Sequence, residues 1–499
     1  MLRIFGTPKR LCDGLTRRDM LHVGSLATLG VSLPDFFRHR AFADRAPGAR
    51  VSGFGHAKSC ILLFLYGSPS QIETFDVKPE APTEVRGEFR TIPSSVPGYR
   101  VGELLPQTSK VMHLTTVLRS VTHPYPIHGV AYATTGVETI DIPMELNPRD
   151  PRHYPYVGSV VEYLSQEAGK RRDKAPDNIA LPWPMSSRRV GEVARAGPYA
   201  AFLGGAFHPK WTEFRGEATR SWVKTLQDQR FEGGEPYMGI TPESRFELAT
   251  ATELPVEMTL DRFDRRRNLL EQLDDARRDL ERSESEQTHD RFRRMAYDLI
   301  QSGKVRDALA IQREPRAVRE SYGMTLFGQS CLAARRLIEA GSRFVTVFWD
   351  EYGLAGSGWD THWNHFARMK EELCPGFDMA FAGLLRDLDQ RGLLDETLVV
   401  CLSEHGRTPK ISSANGGGRD HWSQCYSVVL AGGGVRRGCF VGRSDRLAAT
   451  VAERPISPKD ILATIYHLLG FDPESTLTDR TGRPVPLVHR GSVIAEAIG

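Results

Sequence analysis

The sequence predicts an α/β protein with a mostly parallel central sheet flanked by helices, and three observations carry that expectation. Three apolar runs, Ser59–Tyr66, Phe344–Trp349 and Leu398–Leu402, are continuous and not alternating, which is the pattern of strands buried on both faces. Helix-period segments precede two of them: Cys331–Ala340, stopped by Gly341, and Met379–Arg391, stopped by Gly392. Helix and strand therefore alternate, as parallel sheets require. Each run also breaks into a polar loop. In open sheets ligands collect beyond the carboxyl ends of the strands, so those loops are where chemistry is expected.

With 499 residues, 40% of them hydrophobic and 25% charged, the chain has the composition of a large globular core. The 65 basic and 62 acidic residues leave a net charge of +3. That balance gives no argument for nucleic acid or for an anionic membrane surface. No feature specifies an oligomeric state, so partners are read from the loops.

At the N-terminus, Thr16-Arg17-Arg18-Asp19-Met20-Leu21 precedes a weakly apolar run, Val23–Leu33, and Ala41-Phe42-Ala43 offers a small-x-small cleavage site. The segment resembles a twin-arginine export signal. It divides the chain into a signal, 1–43, and a mature domain, 44–499, that is periplasmic or extracellular. The apolar run is well short of the roughly 20 residues that span a bilayer, and no integral membrane span is expected elsewhere. Cys12 falls in the signal; Cys60, Cys331, Cys374, Cys401, Cys425 and Cys439 form no CxxC pair. Neither a disulfide nor a cysteine metal site is expected.

Taken in order, the first strand ends at Gly67-Ser68-Pro69-Ser70, which places Ser68, Ser70, Glu73, Thr74 and Asp76 near the expected site, as reactive groups or as ordinary hydroxyl caps. Lys78–Val101, rich in Pro, Gly and charge, reads as irregular surface or an edge hairpin. Leu104–Leu118 reads as a helix and a short strand leading to His123 and His128, which stand just before a small-residue helix. A helix start suits an anion such as phosphate or sulfate. The span 140–325 reads as an insertion or cap: loop-rich to about residue 255, then long amphipathic helices from Leu260 to about Ala310.

Three loops each bring a carboxylate together with histidine. Gly358-Trp-Asp-Thr-His-Trp-Asn-His365 carries Asp360, His362 and His365; Ser403-Glu-His405 carries Glu404 and His405; Gly416-Gly-Gly-Arg-Asp-His421 carries Asp420 and His421. Aspartate, glutamate and histidine together suit a divalent ion, zinc first, with manganese or calcium as alternatives. The conjunction of three such loops carries the metal reading.

These residues also carry a resemblance. Asp395–Gly406, a turn and strand ending in Ser-Glu-His-Gly, resembles the sulfatase and alkaline phosphatase superfamily, as does the late helix Ser457–Gly470. Gly67–Pro79, Trp359–His362, Ser403–Lys410 and Gly418–Trp422, with the signal, resemble the exported bacterial family called domain of unknown function 1501. The resemblance implies an alkaline phosphatase-like three-layer sandwich. It implies that Glu404 and His405 hold one metal, with Glu in place of Asp, and that Asp360, His362 and His421 match the ligands of a second. A first-strand aspartate of the superfamily is replaced by Gly67-Ser68, leaving that ligand absent or supplied by Glu73 or Asp76. The sulfatase Cys/Ser-x-Pro-Ser-Arg signature is missing, and Pro126, Ile127 and His128 stand where a nucleophile is expected before Thr135-Gly136.

The expected function is an exported metal-dependent hydrolase of phosphate or sulfate esters, small-molecule or polysaccharide. Its catalytic candidates are His128, Ser68 and Ser70. The alternative is a non-catalytic exported binding or structural protein with a vestigial metal site.

Overall fold

The computed structural model describes residues 51–499 apart from 127, 138–141, 146, 148–149, 151, 170–174, 185–195, 218–220, 225–228, 233–238, 249–302 and 350–357. The segment expected as an export signal and most of the span expected as long amphipathic helices lie outside the described residues.

Nine strands form the central sheet: β1 (Ser59–Phe64), β2 (Thr115–Val121), β3 (Asn178–Leu181), β4 (Lys210–Arg215), β5 (Arg245–Leu248), β6 (Phe344–Phe348), β7 (Thr397–Leu402), β8 (Tyr426–Ala431) and β9 (Cys439–Val441). Their spatial order is β9-β2-β8-β7-β1-β6-β3-β4-β5. All pairings from β7 through β4 are parallel, while β8 and β5 run against their neighbours. The three apolar runs read from the sequence are thus adjacent, in the order β7, β1, β6. Every residue of these three strands is buried, which is why their sequences do not alternate.

Helices cover both faces, giving three layers. On one face α3 (Leu326–Glu339) and α4 (Cys374–Gln390) pack Cys331, Leu332, Phe377 and Leu384 into one core with Ile61, Leu63, Val345, Val347 and Val399. Thr325 caps α3 by accepting from the Gly328 amide at 3.0 Å, which starts the helix before the expected Cys331. Thr346 points opposite to Val345 and Val347, and its hydroxyl bonds to Tyr156 at the start of α2 (Val157–Glu167). On that second face Arg343 donates at 2.8 Å both to Ser165 of α2 and to the Leu469 carbonyl at the end of α5 (Pro458–Leu468). A shorter α1 (Val130–Thr135) contacts α5.

The span 140–325, expected as an insertion, also supplies β3, β4 and β5 of the central sheet. β3 has only four residues, too short a run to distinguish from a loop by periodicity. The edge hairpin expected within Lys78–Val101 is present as Thr91–Pro93 paired with Arg100–Gly102. Among the described residues, all six cysteines are free, and no helix is long and apolar enough to cross a membrane.

Register is what positions the site. Phe64 pairs with Leu402 on one side and with Phe348 on the other. The three strands therefore end level, and the loops beginning at Leu65, Ser403 and Trp349 leave the sheet side by side. Val121 at the end of β2 pairs with Tyr426 at the start of β8, and the His123 amide donates to the Ser423 carbonyl at 2.9 Å. This brings the loops of His128 and His421 to the same end.

Candidate metal centre

Residue 67 must be glycine for these loops to meet. Its φ is 94°, and a Cβ there would lie 2.4 Å from the Asp360 amide nitrogen and 2.7 Å from that of Trp359. The absence of a side chain lets the 358–362 loop close over the end of β1, where Trp359 N donates to the Tyr66 carbonyl at 3.0 Å.

Three of the expected histidines converge on Asp360. Its Oδ1 lies 3.0 Å from His362 Nε2 and 3.3 Å from His421 Nε2, and its Oδ2 lies 3.4 Å from His128 Nε2. The two imidazole nitrogens His362 Nε2 and His421 Nε2 are 3.1 Å apart. Within each of two sets the donor atoms lie inside 4.8 Å of one another: His128, His405 and His421 in one, and Asp360, His362 and His421 in the other.

Each histidine is held by its other ring nitrogen. Nδ1 of His128 is 2.7 Å from Glu404 Oε1, that of His405 is 2.8 Å from the Gly406 carbonyl, that of His421 is 3.2 Å from the Pro126 carbonyl, and that of His362 is 2.7 Å from Asp420 Oδ1. With Nδ1–H donating to oxygen, Nε2 carries the lone pair into the site, the arrangement that metal-binding histidines use. His405 Nε2 is fully buried without a hydrogen-bond partner, as is Glu404 Oε2. An orphaned buried acceptor is costly unless something binds it. The residues therefore fit a divalent metal ion.

Charge is arranged to match. Burial and then the nearby His128, Arg407 and His421 hold His405 well below the usual histidine range, so it is neutral. Burial also lowers His421. Burial opposes the charge of Asp360, yet Arg407 and His128 outweigh it and hold the carboxyl well below its usual range. Burial likewise opposes charge on His128, and Asp360 with Glu404 overrides it, raising the imidazole to about 10, so an ion bound through its Nε2 would displace a proton.

The remaining candidates frame this cluster. Glu404 Oε1 accepts from the Gly67 amide at 2.8 Å as well as from His128. Asp420 is mostly exposed and contacts His362 from outside. Ser68, buried with φ 70°, accepts from the His405 amide through Oγ at 3.2 Å. Ser70 is buried beside Glu73. Neither alternative ligand reaches the cluster: Glu73 pairs with Arg419 and lies 3.5 Å from His365 Nε2, and Asp76 binds Ser444 and Lys78. Ile127 lies outside the described residues.

Arg407 is the residue that sequence reasoning missed. It is completely buried, and its guanidinium donates to the carbonyls of Gly67, Ser68 and Arg419 and to Asp360 Oδ1, the last at 2.7 Å. An arginine after a strand is ordinarily a surface group. Only its place directly behind Glu404-His405-Gly406 marked it.

Solved structures of similar architecture are distant. The PsFucS1 sulfatase from Pseudoalteromonas sp. is 12% identical, over 89% of this chain and 72% of that one, with a TM-score of 0.36. The phosphonate monoester hydrolase SpPMH from Silicibacter pomeroyi is 10% identical, over 88% and 75%, with a TM-score of 0.35. The lipoteichoic acid synthase LtaP from Listeria monocytogenes is 10% identical, over 89% and 78%, with a TM-score of 0.34. No curated protein matches the chain in sequence. Residues 57–498 match the family described as "Protein of unknown function (DUF1501)", and the chain belongs to that family.

Proposed function

We propose that this chain is an exported metal-dependent hydrolase of phosphate or sulfate esters, from small molecules or polysaccharides. The observation that carries the reading is the orphaned, buried Nε2 of His405, set among His128, His421 and the Asp360–His362 pair. A divalent ion held there, with zinc first and manganese or calcium as alternatives, supplies a Lewis acid for ester oxygens. The chain's own residues bind and orient: Asp360, His362, His405 and His421 provide donors, while Glu404 and Asp420 fix imidazole rings. In the reaction, oxygen of water or of a side-chain hydroxyl bonds to phosphorus or sulfur, and the ester oxygen leaves and takes up the attacking group's proton to become the alcohol. Where a hydroxyl attacks, water then cleaves the enzyme ester to free phosphate or sulfate and restore the hydroxyl. Ser68, held against the His405 amide, and Ser70 behind it are the hydroxyl candidates.

One observation favours the second reading, a non-catalytic exported binding or structural protein. Ser68 and Ser70 are only 0% and 1% exposed, so neither hydroxyl is freely offered to a substrate. Chromogenic assays with nitrophenyl phosphate and nitrophenyl sulfate, after reconstitution with zinc, manganese or calcium, decide between the two. Turnover that chelation abolishes supports the hydrolase; inactivity with every metal supports the binding protein.

A further inference from the structure

We propose that the centre takes a single transition-metal ion, largely through imidazole nitrogen, with His128 as a ligand and with Arg407 standing where a second cation would be needed. This rests on the metal-binding half of the proposed function and departs from the two-metal arrangement that the resemblance implies.

The two possible donor sets share His421. Its Nδ1 faces the Pro126 carbonyl, so only Nε2 is available, and one imidazole nitrogen has one lone pair. An ion held by one set therefore takes the lone pair that the other set would need, and the two sets cannot both be filled at once. His128 belongs to the site because its Nδ1 is bound to Glu404 at 2.7 Å while its Nε2 looks toward Asp360 at 3.4 Å, the same orientation that His362, His405 and His421 adopt. One set is then three imidazoles, His128, His405 and His421, and in the other Asp360 joins His362 and His421. Imidazole-rich sets select zinc, copper, iron or nickel, whereas magnesium and calcium take oxygen.

Arg407 supplies the argument against a second ion. Its guanidinium cannot lose its proton in a protein, and it is completely buried 2.7 Å from Asp360 Oδ1. A second divalent ion on Asp360 would sit against this permanent charge, with little solvent to screen it. On this reading Asp420 is a positioning residue acting through His362, and Glu404 positions His128 through Oε1 while its unpartnered Oε2 stays open to the ion.

The test is metal content combined with X-ray absorption at the zinc edge, on the full chain reconstituted with zinc. The expected result is one zinc per chain and a first shell dominated by imidazole. His128→Ala should remove one imidazole from that shell. Glu404→Gln should keep both the stoichiometry and the imidazole count while weakening zinc binding about 10–100-fold, as an outer partner does. Two zinc ions per chain, an oxygen-dominated shell, or an unchanged imidazole count in His128→Ala would overturn the proposal. The wild-type spectrum settles number and ligand type even where a variant fails to fold. These readouts do not depend on turnover: one ion bound as described, without ester cleavage, counts against the hydrolase alone.

Discussion

Arg407 Nη2 lies 2.7 Å from Asp360 Oδ1, joining a completely buried guanidinium to the carboxylate around which three histidines gather. The same guanidinium holds the carbonyls of Gly67, Ser68 and Arg419, so one side chain ties together the loops after β1 and β7 and the loop of His421. Arg407→Met takes the permanent cation from the partly buried Asp360 and leaves three carbonyls without their donor, and should destabilise the fold by roughly 2–4 kcal/mol. Denaturant unfolding of the metal-free protein measures it, and a loss below about 1 kcal/mol would show the pair to be incidental.

Glu73 and Arg419 form a second buried pair that fastens the loop of Ser68 to the loop of His421. Burial alone would raise the Glu73 pKa, but Arg419 and His365 lower it to about 2. The folded value is depressed, so the contribution is present above the ordinary carboxylate pKa of 4.5 and is lost as pH falls toward 2. Glu73→Gln should lower stability at neutral pH and flatten its decline within that acid window. Urea unfolding at pH steps through the window would show a parallel curve if Glu73 were uninvolved.

Gly67→Ala tests the close approach directly. With φ at 94° and a backbone nitrogen 2.4 Å from the new Cβ, the substitution combines strain with a clash against main chain and should cost about 2–4 kcal/mol. Because the clash is with Asp360, zinc affinity should fall as well. Isothermal titration and thermal unfolding read the two effects separately.

Much of this site was legible before the fold was known. Continuous apolar runs identified β1, β6 and β7 because buried parallel strands have no polar face, and the carboxylate–histidine groups after two of them followed from where ligands collect. Other features depend on contacts across hundreds of residues. Nothing near Arg407 reveals that Gly67 and Asp360 will surround it. The direction of β8 is likewise invisible in Tyr426–Ala431, since an antiparallel strand in a sheet covered on both faces reads like a parallel one. Glu73 follows a strand and looks available as a ligand, yet Arg419, 346 residues away, claims it.

Removing metal should loosen this end of the sheet. An ion that binds only the folded chain adds about 2.7 kcal/mol when its free concentration is 100 times its Kd. The melting temperature should therefore rise with added zinc and fall back with chelator, and a temperature indifferent to both would argue against a site built into the fold.

The most direct measurement is metal content per chain by elemental analysis, comparing the wild-type protein with a His405→Ala, His421→Ala double variant after metal-replete purification. A stoichiometric metal in the wild type, absent from a folded double variant, is the predicted result. Both proteins metal-free, or both equally loaded, would contradict the centre described here.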